Sequence, residues 1–177
     1  MLVMPSVIKL LIAAIVLCCS FASFAQEVQV NQVKGGIALS VSAQKPYQLM
    51  PGETKLPVLS LECLHKGKKS SHLVVFLPGG AVVDDASESS AKGGQLFVVT
   101  MDGKKQPTPW VPYGDTTSFA YFGKTDAERL QFIHALLGSA MVSIEFKPFL
   151  TGAATTSVFD LSKLREEMNK YPECSAQ

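Results

Sequence analysis

Between residues 37 and 161, apolar and polar positions mostly alternate with a period of two, the spacing of a strand with one covered face. Ile37–Ala43 (IALSVSA) alternates in this way. Leu56–His65 (LPVLSLECLH) sets Leu59, Leu61, Cys63 and His65 on one face and Val58, Ser60, Glu62 and Leu64 on the other. His72–Leu77 (HLVVFL) is a β-branched and aromatic run, the composition that favours strands. Gln95–Gly103 reads as a strand closing on an Asp-Gly turn, and Thr116–Gly123, Ala140–Phe149 and Thr155–Leu161 complete seven predicted strands. Residues 26–36 form a polar lead-in with a short strand at best, and 45–53 are turn-rich. Pro107, Pro109 and Pro112 argue for an extended irregular segment over 104–115. Pro78–Gly94 mixes turn residues, serines and acids and reads as an exposed loop.

After Gly123 the period changes. Thr125 followed by Glu128 is a capping box, Leu130, Ile133, Leu136 and Leu137 recur at helical spacing, and Gly138 suits the C-terminal cap. These signals predict a helix over Asp126–Leu137. A second, shorter amphipathic helix follows in SKLREEMNKY (162–171), with Leu161, Leu164 and Met168 inward. Sequential strands followed by late helices predict an α+β domain: mainly an antiparallel sheet or sandwich, in place of alternating βαβ units. Residues 37–177 form this single domain.

The first 25 residues stand apart from that pattern. Lys9, the apolar run Leu10–Leu17, and small residues at Ser23 and Ala25 have the layout of a secretory signal with cleavage after Ala25. Leu10–Ala25 is 16 residues, short of the ~20 a spanning helix needs. Large residues ahead of Cys18 and Cys19 disfavour a lipoprotein site. No other stretch is long and apolar enough to span a bilayer, so the mature chain is expected not to cross a membrane and to be periplasmic or secreted. Removing the leader takes Lys9 and no acid, leaving 15 basic and 15 acidic residues and a formal charge of zero. Such a balance offers no electrostatic footprint for nucleic acid or an anionic membrane surface.

Export changes the reading of the cysteines. Cys63 and Cys174 alone remain after cleavage, and two cysteines in an oxidising compartment most often pair. That bond would tie the chain end to an early strand; the alternative is two free thiols. The segment around Cys63 also holds His65 and His72 beside a lysine-rich turn. If His65 lies opposite His72, then Cys63 faces Val74, Leu61 faces Phe76, and the three soft ligands converge on one face. A closed zinc site wants four ligands, and Cys174 offers Cys63 an oxidised partner. The segment is therefore read as half of a disulfide with two histidines at the mouth of a hairpin, His65 and His72 being the only metal-ligand candidates. No cofactor is expected.

Other candidate chemistry is thinner. Gly123-Lys124-Thr125 sits between a strand and a helix, but Ser118 occupies the position where a phosphate loop needs its first glycine. No serine lies in a Gly-x-Ser-x-Gly elbow, and His134 reads as a helix-edge residue. Asp84, Asp85 and Glu88 lack the spacing of a calcium loop. Trp110, framed by Pro109 and Pro112 with Tyr113 nearby, reads either as a core plug or, with Tyr113, as a partner-binding anchor.

The order of LPVLSLEC, HLVVFL, VVTMDG, Trp110, TSFAYFG, FIHALLGS, VSIEFKPF, SVFDLSKL and a terminal PEC resembles the VasI/TagO-like exported accessory proteins associated with type VI secretion, over residues 56–174. The resemblance implies an envelope accessory or binding domain in which Cys63 and Cys174 pair and no catalytic residues are established. The functional expectation is a non-enzymatic exported domain that binds an envelope or secretion-system protein. The alternatives are an exported inhibitor or immunity-like protein, and a periplasmic hydrolase with His65, His72 or His134 as base.

Overall fold

The computed structural model describes residues 27–65, 70–78, 95–148 and 152–175. Each of the seven alternating segments forms a strand: β2 (Gly36–Ser42), β5 (Val58–Leu64), β6 (Ser70–Phe76), β7 (Gln95–Met101), β9 (Asp115–Tyr121), β10 (Met141–Phe146) and β11 (Thr155–Asp160). Four more strands join them: β1 (Gln29–Val33), β3 (Tyr47–Met50), β4 (Glu53–Lys55) and β8 (Lys104–Tyr113). β3 and β4 form a small separate ribbon. The other nine make one antiparallel sheet in the order β1-β2-β5-β6-β9-β8-β7-β10-β11.

The sheet is open and folds over into a sandwich-like arrangement. Phe97 on β7 meets Phe119 on β9 edge to face, with ring centroids 5.5 Å apart. The Gln44 amide donates to the Val158 carbonyl at 2.8 Å, linking the segment after β2 to the far edge strand. Leu39, Leu59, Leu61, Leu73, Val75, Val99, Ile144 and Phe159 are all fully buried between the halves. These are the apolar positions of the two-residue period, and their burial supplies the main driving force for folding.

β8 corrects the expectation of an irregular segment. It pairs with β7 from Lys104 to Trp110 and then with β9 at Val111 and Pro112. Successive backbone N–H groups in a strand point to opposite edges. Pro107 and Pro109 therefore lack donors on one edge and Pro112 on the other. The paired side switches between Trp110 and Val111, so each missing donor falls on an edge with no ladder to break. The hairpin from β7 to β8 turns at Asp102 (φ 49°) and Gly103 (φ 76°), the backbone of a two-residue type I′ turn.

Helix α1 spans Asp126–Gly138; Thr125 Oγ1 accepts from the Glu128 amide at 3.1 Å, and Glu128 Oε2 accepts from the Lys124 amide at 2.9 Å. Gly138 is the last helical residue instead of the cap; Ser139 takes that place and its amide donates to the Leu136 carbonyl. Arg129, Phe132, Ile133, Leu136 and Leu137 form the buried stripe. The corner before α1 explains Gly-Lys-Thr without a phosphate: Gly123 has φ 64° and a Cβ there would lie 2.9 Å from the Arg129 amide, while Thr125 is the cap. Two short helices close the chain, α2 (Ser162–Met168) against β2 and α3 (Pro172–Ser175) against β5.

Candidate functional site

The hairpin β5–β6 decides the fate of the three soft ligands. Its register places Glu62 opposite His72, Cys63 opposite Ser71 and Leu61 opposite Leu73. His72 is therefore on the face opposite Cys63, and the convergence expected from a His65–His72 pair does not occur. The reason lies in the burial pattern. Leu59, Leu61 and Cys63 on β5 and Ser71, Leu73 and Val75 on β6 all go inward, and a register that set Cys63 opposite Val74 would turn one strand's apolar set to solvent. His65 is exposed just beyond β5, its amide donating to the Gly35 carbonyl at 2.9 Å. Among the described residues no group of three His, Cys, Asp or Glu side chains is placed to hold a metal ion.

Cys63 is fully buried and bonded to Cys174, whose α3 it pins to the sheet across a sequence separation of 111. Beside Cys63 the neighbouring strand β2 approaches β5 closely. A Cβ at Gly36 on β2 would overlap the Cys63 carbonyl oxygen, so only glycine lets β2 pair there.

Trp110 is not a surface anchor. It is 0% exposed and packs in the core against Phe97, Tyr121 and Phe132, with ring centroids 5.7, 6.1 and 6.5 Å away. Its place follows from β8: Thr108 and Trp110 share the inward face of the strand. Tyr113, three residues on, emerges on the other side of the sheet.

There it meets His72. The Tyr113 hydroxyl donates to Glu62 Oε2 at 2.7 Å, its ring stacks on His72 at 6.1 Å, and Phe122 closes the group edge-on to His72 at 5.3 Å. Four residues far apart in sequence, on β5, β6, β8 and just after β9, thus form one cluster on the outward face. His72 Nε2 lies 3.1 Å from Ser70 Oγ, and its buried Nδ1 has no partner among the described residues. Burial holds the imidazole below its ordinary value of 6.5; the Arg129 charge acts in the same direction and Asp126 partly offsets it. Tyr113 is pushed up to about 12, first by burial and then by the hydrogen bond to Glu62 and its negative charge.

The arrangement favours a neutral imidazole and a neutral phenol. Ser70 and His72 are within hydrogen-bond reach, but among the described residues no acid orients the ring: Nδ1 has no partner there, and Glu62 is engaged by Tyr113. Triad chemistry needs that third group to set the tautomer. Below the cluster the same face continues with Val74, Phe76 and Val58, Phe76 being 38% exposed. An outward face of an antiparallel sheet is ordinarily polar; here Ser60, Glu62 and Ser70 share it with Val58, Val74, Phe76 and the aromatic group around His72. Glu62, Phe122 and Ser70 were not singled out by sequence reasoning. The alternation does assign Glu62 to the outward face, but only the register brings it beside His72.

His134 is exposed on α1, while Asp84, Asp85 and Glu88, the lysine-rich residues 66–69 and the expected leader at 1–25 lie outside the described residues. No helix among the described residues is long and apolar enough to cross a membrane. Compared with protein-family models, with curated proteins and with solved structures, the chain finds no match in any of the three.

Proposed function

We propose that the chain is a non-enzymatic exported domain that binds a protein component of the cell envelope, in the manner of the type VI secretion-associated accessory proteins its motif order resembles. The observation that carries this reading is the Cys63–Cys174 disulfide, a bond that forms and persists in oxidising compartments. The leader at residues 1–25 supplies the route. The outward face with Tyr113, His72, Phe122 and Phe76 supplies the contact surface, because half-exposed aromatic side chains are the usual anchors of protein interfaces. The inhibitor-like alternative loses Trp110 as a plug, since that side chain is enclosed in the core.

The test has two arms. Fractionation of cells producing the full chain, with thiol labelling before and after reduction, is expected to find the protein outside the cytoplasm with both mature cysteines blocked. Photo-crosslinking from position 76 is expected to trap one envelope protein, and Tyr113→Ala is expected to weaken that capture. A cytoplasmic protein with two free thiols would sink the export reading. Turnover of ester or cell-wall substrates that His72→Ala abolishes would replace binding with hydrolysis.

A further inference from the structure

On the inner side of the sheet a cleft of about 280 Å3 opens between α1, α2 and the disulfide. Its walls are mostly apolar, with Leu130, Ile133 and Leu137 from α1, Met168 from α2 and Leu61 from β5, and Ser71, His134 and Cys174 are also in the lining. Among the described residues in the lining, Arg165 carries the permanent charge, His134 is the other ionisable side chain, and no carboxylate faces the space. Arg165 is held at the rim by the end of α1: its Nε donates to the Leu137 carbonyl at 2.7 Å and one terminal nitrogen, Nη2, to the Gly138 carbonyl at 2.9 Å. The other terminal nitrogen, Nη1, has no partner among the described residues, so the guanidinium is fixed in place with donors to spare.

Such a site selects for an apolar body with an anionic head. An apolar cavity of about 150 Å3 holds one benzene molecule, so this cleft has room for a chain of about ten heavy atoms. A carboxylate at the rim would meet a preorganised guanidinium, the cation best suited to that geometry. From the volume, the mostly apolar walls and the fixed Arg165 guanidinium, we infer that the cleft binds a medium-chain carboxylic acid, tail along α1 and head on Arg165. Cys174 lines the cleft, so the disulfide that holds α3 against β5 also holds part of its wall.

The experiment titrates decanoate, below the concentration at which it aggregates, into the purified oxidised protein and follows methyl signals of Ile133, Leu137 and Met168. Decanol serves as the neutral-headed control. Saturable one-to-one binding of decanoate is expected, with decanol weaker. Leu130→Trp and, independently, Met168→Trp are expected to fill the space and remove binding; both positions are only half-buried and tolerate the change better than core sites. Arg165→Gln is expected to weaken decanoate about tenfold, the effect of losing one charge-assisted contact, and to leave decanol unchanged. Equal binding of decanol and decanoate overturns the anionic-head assignment. Absence of saturable binding, or binding that survives both filling variants, overturns the site. Concentration-dependent self-association that Leu130→Trp abolishes would hand the cleft to a second copy of the chain.

Discussion

At the scale of single residues, His72 and Tyr113 turn ordinary side chains into measurable reporters. Protonating His72 is harder in the folded chain than in the unfolded one, since burial and Arg129 oppose the charge. The unfolded state therefore takes up more protons just below the ordinary imidazole value, and this contribution to stability is full above about pH 6.5 and falls as the pH drops toward the lower folded value. Urea midpoints are expected to decline between about pH 7.5 and 5.5, and His72→Gln is expected to flatten that part of the profile. Tyr113 gives a second reading. Glu62→Gln keeps a hydrogen-bond acceptor but removes the charge, so the phenol should titrate below about 12 yet above the ordinary 10.0, since burial remains the larger cause. Ultraviolet absorbance of the phenolate across an alkaline titration measures it. Trp110 tests the core: Trp110→Ala should cost about 3–5 kcal/mol in chemical denaturation, the range for truncating a large buried aromatic, whereas a surface anchor would cost little.

At the scale of elements, α1 is set by its own first turn and β8 by its neighbours. Thr125→Ala removes the oxygen that accepts from the Glu128 amide and should lower stability by about 1 kcal/mol, measured as a shift in the denaturant midpoint. This cap was legible in the sequence because Thr125 and Glu128 are three apart. β8 is not legible from its prolines taken one at a time, because each proline alone disfavours a paired strand. Pro107 and Pro109 share parity and Pro112 has the other, and that pattern fits a strand that changes partner midway. The signal was present in the spacing, but its meaning depends on which edge each neighbour occupies, which is a tertiary fact. The short ribbon β3–β4 was likewise read only as turns, its two strands spanning 4 and 3 residues, too short for alternation to register.

At the scale of the whole molecule, the disulfide is the longest-range constraint. It closes a loop across 111 residues, and in the loop-entropy account a cross-link of that span contributes about 4–5 kcal/mol by restricting the unfolded chain. The double variant Cys63→Ser, Cys174→Ser is expected to lose stability of that order in guanidinium unfolding, and reducing agent should affect the parent protein but not the variant. The bond also shapes the molecule locally: it holds α3 over β5, and with it one wall of the cleft beside α1. The two faces of the β2-β5-β6-β9 half are thus different surfaces, an aromatic outer one and an inner one capped by helices.

The alternation of apolar residues was enough to fix seven strands, the inward set of each, the capped helix α1 and an antiparallel α+β class, because burial of one face is a local property with a two-residue or four-residue period. Two cysteines, read with residues 1–25 as an expected export leader, were enough to anticipate the covalent tie. The sequence alone left open whether Trp110 is core or surface, and it allowed a hairpin register that gathered Cys63, His65 and His72. Only the tertiary structure decided both, because register is chosen by what every strand must bury at once, and a three-residue change in pairing carries a side chain to the other face. That choice separated His72 from Cys63, set it under Tyr113 beside Glu62, and turned three apparent metal ligands into one end of a disulfide, one exposed histidine and one member of an outward-facing aromatic cluster.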